Sequence, residues 1–225
     1  MLRQKSYIEE LISQGEGQQL DFKFNISDSR KIARSISAFA NAQGGTLLIG
    51  VKDNGAIAGI RSDEELFMLE AATEMYLKPT PGMEHEVWDI EKKTILEVKI
   101  NEGGSKPYLA QDDNGKWLAY IRWNDQNILA NRVLLKYWQR MSAPRGTFFR
   151  YTRKEKYLLD YLKENQSVTL SKAKNMLNIP LFITENIVVA LLSLGILRFE
   201  IHEGKFLYFL NENQTDSKPE IKSQF

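Results

Sequence analysis

The sequence predicts an α+β fold: a mixed-sheet domain, then a smaller helical domain that closes in a hairpin. Two observations predict it. Over the first 140 residues, helix-period stripes such as Ile32, Ile36 and Phe39 interleave with strand-like runs such as "TLLIGV", "HEVWDI", "TILEVKI" and "KWLAYIRW". After "SAPRG" the pattern changes to three short helices and a terminal hairpin.

Each element has a local reason. Gln4 to Ser13 places Ile8, Leu11 and Ile12 on one helix face. In "QQLDFKF", Leu20 and Phe22 alternate with Asp21 and Lys23, the pattern of a half-buried strand. Asp28 or Ser27 caps the next helix, which stops at Gly44-Gly45. "TLLIGV" is apolar throughout, so both faces of that strand are covered. Asp53-Asn54-Gly55 turns it back into "AIAGI" as a hairpin. Ser62 and Glu65 form a capping box for a helix reaching Leu77, which "KPTPG" ends. "HEVWDI" and "TILEVKI" pair through Glu91-Lys92-Lys93. A Gly-rich loop at 101–106 leads to "PYLA", "DDNG" turns into "KWLAYIRW", and a helix runs from near Asn127 to Met141.

The first domain thus covers 1–141 and the second 146–210, with a polar tail at 211–225. In the second, helices at 153–165, 171–177 and 183–194 enclose the short strand "VTL". They precede a hairpin turning at Glu203-Gly204, and this order reads as a winged helix. Its third helix, "FITENIVVALLSLGIL", has no Lys or Arg before Arg198 and offers only Asn186 for base readout. Packing therefore suits it better than reading bases, with Val189 and Leu192 expected on its outer face.

Composition excludes several chemistries. The chain has 225 residues, a net charge of +1 and no cysteine, so there is no disulfide framework and no thiolate metal site. The first helix is amphipathic rather than a signal core and there is no transmembrane run, so a cytoplasmic protein without membrane contact is expected. Gly45 and Gly50 have the outer spacing of a P-loop, but Thr-Leu-Leu-Ile lies between them and Val51 replaces the lysine. His85 and His202 lack metal-ligand spacing, and no nucleophilic triad is visible. Trp117, Tyr120 and Trp123 read as core or sheet-face residues.

Near neutrality hides polarity. Residues 62–102 hold eleven acids and four bases, and residues 130–156 hold eight bases and one acid. Arg132, Lys136 and Arg140 recur every four residues on one helix face, and Arg145 and Arg150 extend the run among Phe148, Phe149 and Tyr151. Such a stripe suits phosphates and stacked bases; it equally suits a solvated helix face.

"EGQQLDFK" at 16–23, followed by "SISAFANAQGGTLLIGVKDNGAIAGI", resembles the Schlafen/AlbA-like domain over about residues 10–140. That family carries a Glu, then Leu-Glu-Phe-Lys, Ala-Phe-Ala-Asn-x-x-Gly-Gly and Gly-Val-x-Asp-x-Gly. "YIRW" resembles its later Tyr-x-Arg strand, which adds Arg122 to the nucleic-acid-binding set. The resemblance implies binding of DNA or RNA, and bacterial members beside a winged helix imply transcriptional regulation. Relatives in animals that cleave RNA imply an alternative. By match to their motif, Glu16, Asp21 and Asp53 would form a three-carboxylate Mg²⁺ or Mn²⁺ site, with Lys23 positioning phosphate. Asp21 is one methylene shorter than the family glutamate, and the animal Cys/His zinc site cannot exist here. Active Schlafen nucleases pair two such halves, which here would need a homodimer. Asn41 caps the helix end or bonds backbone there. A protein-interaction or oligomerisation module is the third reading, favoured by the near-neutral charge and the apolar third helix.

Overall fold

In this computed structural model the described residues are 2–60, 64–143 and 150–211, with side chains described from 7 onward. Ser62, Arg145, Phe148, Phe149 and the tail beyond Asn211 lie outside them. The chain divides into two compact units, Met1–Ala130 and Asn131–Phe225.

The first unit runs α1 (Leu2–Gln14), β1 (Leu20–Lys23), α2 (Ser29–Asn41), β2 (Gly45–Ile49), α3 (Glu64–Met75), β3 (Leu77–Lys78), β4 (Met83–Ile90), β5 (Lys93–Ile100), β6 (Leu109–Gln111), β7 (Trp117–Trp123) and β8 (Gln126–Leu129). It is α+β with a mixed sheet, as the sequence predicts: β1 and β2 are parallel and the other pairs are antiparallel. One sheet has the order β1-β2-β5-β4 and the other β3-β6-β7-β8.

The apolar run of β2 is buried on both faces. Leu47 and Ile49 join a core built on Ile32, Ile36 and Phe39 of α2, while Leu48 joins one built on Ile8 of α1 with Leu20 and Phe22. The α2 core also takes in Ala110 and Tyr120 from the second sheet, so this helix is shared by both sheets. Three local readings change. Residues 51–57 form a single bridge, Val51 with Ile57, rather than a regular hairpin. Residues 126–129 are strand β8, not the start of a helix; pairing with β7 outweighs the local helical pattern. Two-residue β3 has no periodic signal to read.

The glycine pair serves two different contacts. Gly44 has a φ of +72°, and a Cβ there would stand 2.6 Å from the Ile100 carbonyl oxygen. A Cβ on Gly45 would stand 2.4 Å from the Phe39 ring. One glycine turns the chain and the other lets the strand pass beneath the helix. Asn41, the last residue of α2, is buried. Its amide donates to the carbonyls of Tyr108 and Tyr120, both at 2.8 Å, and its Oδ1 accepts from the Tyr108 N–H at 2.8 Å. Asn41 therefore bonds backbone across the sheet rather than capping its own helix.

The second unit comprises α4 (Arg132–Met141), α5 (Arg153–Glu164), β9 (Val168–Thr169), α6 (Leu170–Leu177), α7 (Leu181–Ser193), β10 (Leu197–His202) and β11 (Lys205–Leu210). The helix read as closing the first domain belongs here: α4 starts at an Asn131 cap and packs on α7, with Val133 in the second unit's core. Thr152 and Glu155 form a capping box at the head of α5. The sheet order is β10-β11-β9, all antiparallel, and the β10–β11 turn places Glu203 and Gly204 at positive φ. Val189 and Leu192, expected on an outer face, are buried along with Thr184, Glu185, Val188 and Leu191. Among the described residues no single helix is long and apolar enough to cross a membrane. The α6–α7 pair passes that test only together, bent by 114°.

Replacing Asn41 by Ala strands the buried Tyr120 carbonyl and the Tyr108 N–H, and leaves the Tyr108 carbonyl to Ser37 Oγ alone. Stability should fall by about 3 kcal/mol, read as a lower denaturant midpoint at unchanged slope. A loss of only a few tenths would show that these groups find other partners.

Candidate functional site

The carboxyl ends of parallel β1 and β2 gather most of the family-matched residues. Asp21 and Lys23 face the α2 side, because Leu20 and Phe22 turn into the α1 core. The side that the sequence reads as polar is nevertheless covered. Asp21 is 3% exposed and Arg122, arriving from β7, is 2% exposed.

Arg122 commits its guanidinium to five groups. Nη2 stands 3.2 Å from Asp21 Oδ1 and donates to the Leu20 carbonyl, Nε donates to the Gly17 carbonyl, and Nη1 donates to Asn127 Oδ1. Its flat face lies 4.9 Å from the centroid of the Phe39 ring. Read from sequence as a nucleic-acid contact, Arg122 is buried and pairs with Asp21 instead. Burying a lone arginine is costly, so a carboxylate must accompany it. Lys23 Nζ stands 2.6 Å from Asp21 Oδ2, at ion-pair distance though outside hydrogen-bonding alignment, and donates to the Phe22 carbonyl.

Glu16 comes to the same place. Its Oε1 accepts from the Phe22 N–H at 2.9 Å. Partial burial holds its carboxyl above the usual range, and the adjacent Asp21 carboxylate adds to this. The Phe22 N–H and the Lys23 charge pull the other way. Asp53 is exposed on the turn after β2. Among the described residues, no three of His, Asp or Glu are placed to hold a metal ion. Glu16 and Asp21 adjoin, and Asp53 does not join them in such a group.

Beside this cluster the sequence reading missed one residue. Phe24 directly follows β1 with 42% of its surface exposed, and Lys52 Nζ stands 5.7 Å from its ring centroid. Its neighbours Phe22 and Ile26 are buried, so Phe24 marks where the strand leaves the core. No sequence signal marks it: Leu20, Phe22, Phe24 and Ile26 continue one apolar alternation, in which Phe24 reads as buried.

The basic stripe resolves differently. On α4, Lys136 Nζ donates to Glu185 Oε2 at 2.7 Å and to Asn186 Oδ1 at 3.0 Å, and Arg132 Nε lies 3.8 Å from Glu185 Oε1. Glu185 is 1% exposed. This half of the stripe thus neutralises a buried carboxylate on α7, and Asn186, the one polar readout candidate, is engaged by Lys136. Arg140 lies near the end of the same helix, and Arg150 is exposed before α5.

The Schlafen AlbA_2 family model matches residues 16–131, just over half of the 225-residue chain. The chain belongs to the Schlafen AlbA_2 family. No curated protein matches it. Among solved structures it is similar to the DIP2311 protein of Corynebacterium diphtheriae, at 17% identity and a TM-score of 0.46. That match covers 67% of this chain and 35% of that one, so the chain spans about a third of that protein. It is also similar to the N-terminal domain of a RecG-related protein from Nitrosomonas europaea, at 20% identity and a TM-score of 0.41, covering 66% of this chain and 98% of that one.

Two measurements test these assignments. A raised Glu16 pKa means that the folded chain holds this proton to higher pH than the unfolded chain does. Wild-type stability is therefore lost as pH rises from the ordinary value of 4.5 through the folded one. Glu16→Gln cannot ionise, so its stability relative to wild type should improve across that window and level off below it. A pH-independent difference would remove the repulsion argument. Separately, Lys136→Met leaves buried Glu185 with only the longer Arg132 contact and should cost about 2 kcal/mol in chemical denaturation. No loss would mean that Glu185 does not depend on α4.

Proposed function

We propose that the chain binds nucleic acid through its first unit, at the carboxyl ends of β1 and β2. The observation that carries this reading is the exposed Phe24 ring with Lys52 beside it. An aromatic face suits a nucleobase, and the Lys52 ammonium beside it suits an adjoining phosphate. Every base has such a face, so the platform accepts unpaired DNA or RNA alike. Membership in the Schlafen AlbA_2 family supports the reading. Glu16 and Asp21 take no catalytic part in it; they and Arg122 brace the strand that ends at Phe24.

We read residues 153–210 as a winged helix, on the order helix, strand, helix, helix, hairpin. Its third helix then serves packing, because α4 covers it and its side chains are largely buried. A nucleic-acid-binding first unit joined to such a domain suits a regulator of transcription.

Fluorescence anisotropy with labelled single-stranded DNA and RNA tests the site. Phe24→Ala should weaken binding by roughly tenfold, the low end of base–aromatic stacking, while melting at the wild-type temperature. Wild-type affinity in this variant would exclude Phe24 as the platform.

A further inference from the structure

Helix α2 begins with an unusual charge arrangement. Its first turn contains Arg30 and Lys31 and no acid, and Arg34 follows Arg30 by one helical turn. Cations at a helix N-terminus oppose the macrodipole, and like charges at i,i+4 repel. Neither effect is large, but both run against stability. Asp28, the acid at this end, spends its carboxylate as the helix cap, accepting from the Arg30 backbone N–H at 2.9 Å.

The two arginine side chains are held rather than loose. The Arg30 guanidinium lies 4.8 Å from the Tyr76 ring centroid and that of Arg34 lies 5.1 Å from the Tyr120 ring centroid. In both, Nε is buried and has no hydrogen-bond partner. Arg122, Arg132 and Arg198 each stand within ion-pair distance of a carboxylate; among the described residues neither Arg30 nor Arg34 does. Stacking on tyrosine fixes the plane of a guanidinium while leaving its terminal N–H groups to a ligand. Two such groups one turn apart, at the positive end of a helix, make a receptor for an oxyanion with more than one acceptor oxygen.

We infer that Arg30 and Arg34 form a phosphate-binding subsite on α2. Where the phosphate belongs to a polynucleotide backbone, the inference rests on the nucleic-acid reading above. Phe24 and Arg30 are six residues apart, so their Cα atoms are at most roughly 20 Å from one another, and one strand can serve both. Where the phosphate is free, as in pyrophosphate, the subsite stands without that reading.

The test uses the full chain, inorganic pyrophosphate and a labelled oligothymidylate, with the double variant Arg30→Gln/Arg34→Gln. Pyrophosphate should raise the melting temperature of the wild type and of Phe24→Ala, but not of the double variant. The double variant should bind oligothymidylate at least tenfold more weakly at low salt. The slope of its log affinity against log salt should be shallower by roughly 1.4, two phosphate contacts on a single strand. Wild-type affinity and slope in the double variant overturn the subsite and leave the nucleic-acid reading intact. A pyrophosphate response that needs the arginines, with no oligothymidylate binding by the wild type, keeps the subsite and overturns the nucleic-acid reading. No response to either probe overturns both. If the double variant does not melt cooperatively, each single Arg→Gln should flatten the slope by roughly 0.7; unchanged slopes in both overturn the subsite.

Discussion

The Asp21–Arg122 pair is the constraint on which the first unit depends. Two charges, each at most 3% exposed, carry a desolvation penalty of several kcal/mol per ion. That penalty is met only if the remaining donors and acceptors are also satisfied. Arg122 reaches Gly17, Leu20, Asn127 and the Phe39 face at once. Those groups belong to the entry of β1, to β8 and to α2, so one side chain registers both sheets against the helix they share. Asn41 repeats the logic in the same last turn of the helix with neutral groups. The result is a rigid base for β1, and the strand's next side chain beyond Lys23 emerges as an exposed ring.

Buried charge organises the second unit too. Glu185 lies inside the α4–α7 contact, and Lys136 and Arg132 bring the cations that make its burial tolerable. A hydrophobic α7 could accept many covering helices; a carboxylate in its face accepts one that presents cations at matching height. The basic run at 130–156 is therefore not one continuous surface. Part of it is consumed internally, while Arg153, Lys154 and Lys156 remain on the exposed side of α5.

Much of the fold was legible because its signals are local. The stripe Ile32, Ile36, Phe39, the apolar run of β2 and the Glu203-Gly204 turn each act over a few residues. The larger failures are long-range. Strand β8 exists because β7 pairs with it, and its four residues carry no pattern against the helical signal that follows. The domain boundary moved because α4 is amphipathic in either location, and only Glu185, some fifty residues on, selects its partner. At the site, the motif located Glu16, Asp21 and Lys23 at one strand end. It could not reveal that Asp21 is spent on Arg122, because that pairing spans 101 residues. Nor does spacing alone expose the stacked arginines of α2, since Tyr76 and Tyr120 come from distant elements.

The reach of Asn41 has a consequence for synthesis. Its two carbonyl partners lie 67 and 79 residues further along the chain. At about 5–20 residues per second, Tyr120 follows Asn41 from the ribosome by roughly 4–16 s. Through that interval α2 and β2 exist without the second sheet. The apolar stripe of the helix lacks its cover, and Asp21 waits still longer for Arg122. The segment around the glycine pair at the heart of the domain is therefore also an adhesive surface while the chain is being made. The early cations Arg30, Lys31 and Arg34 lie on that same helix, and like charges oppose self-association.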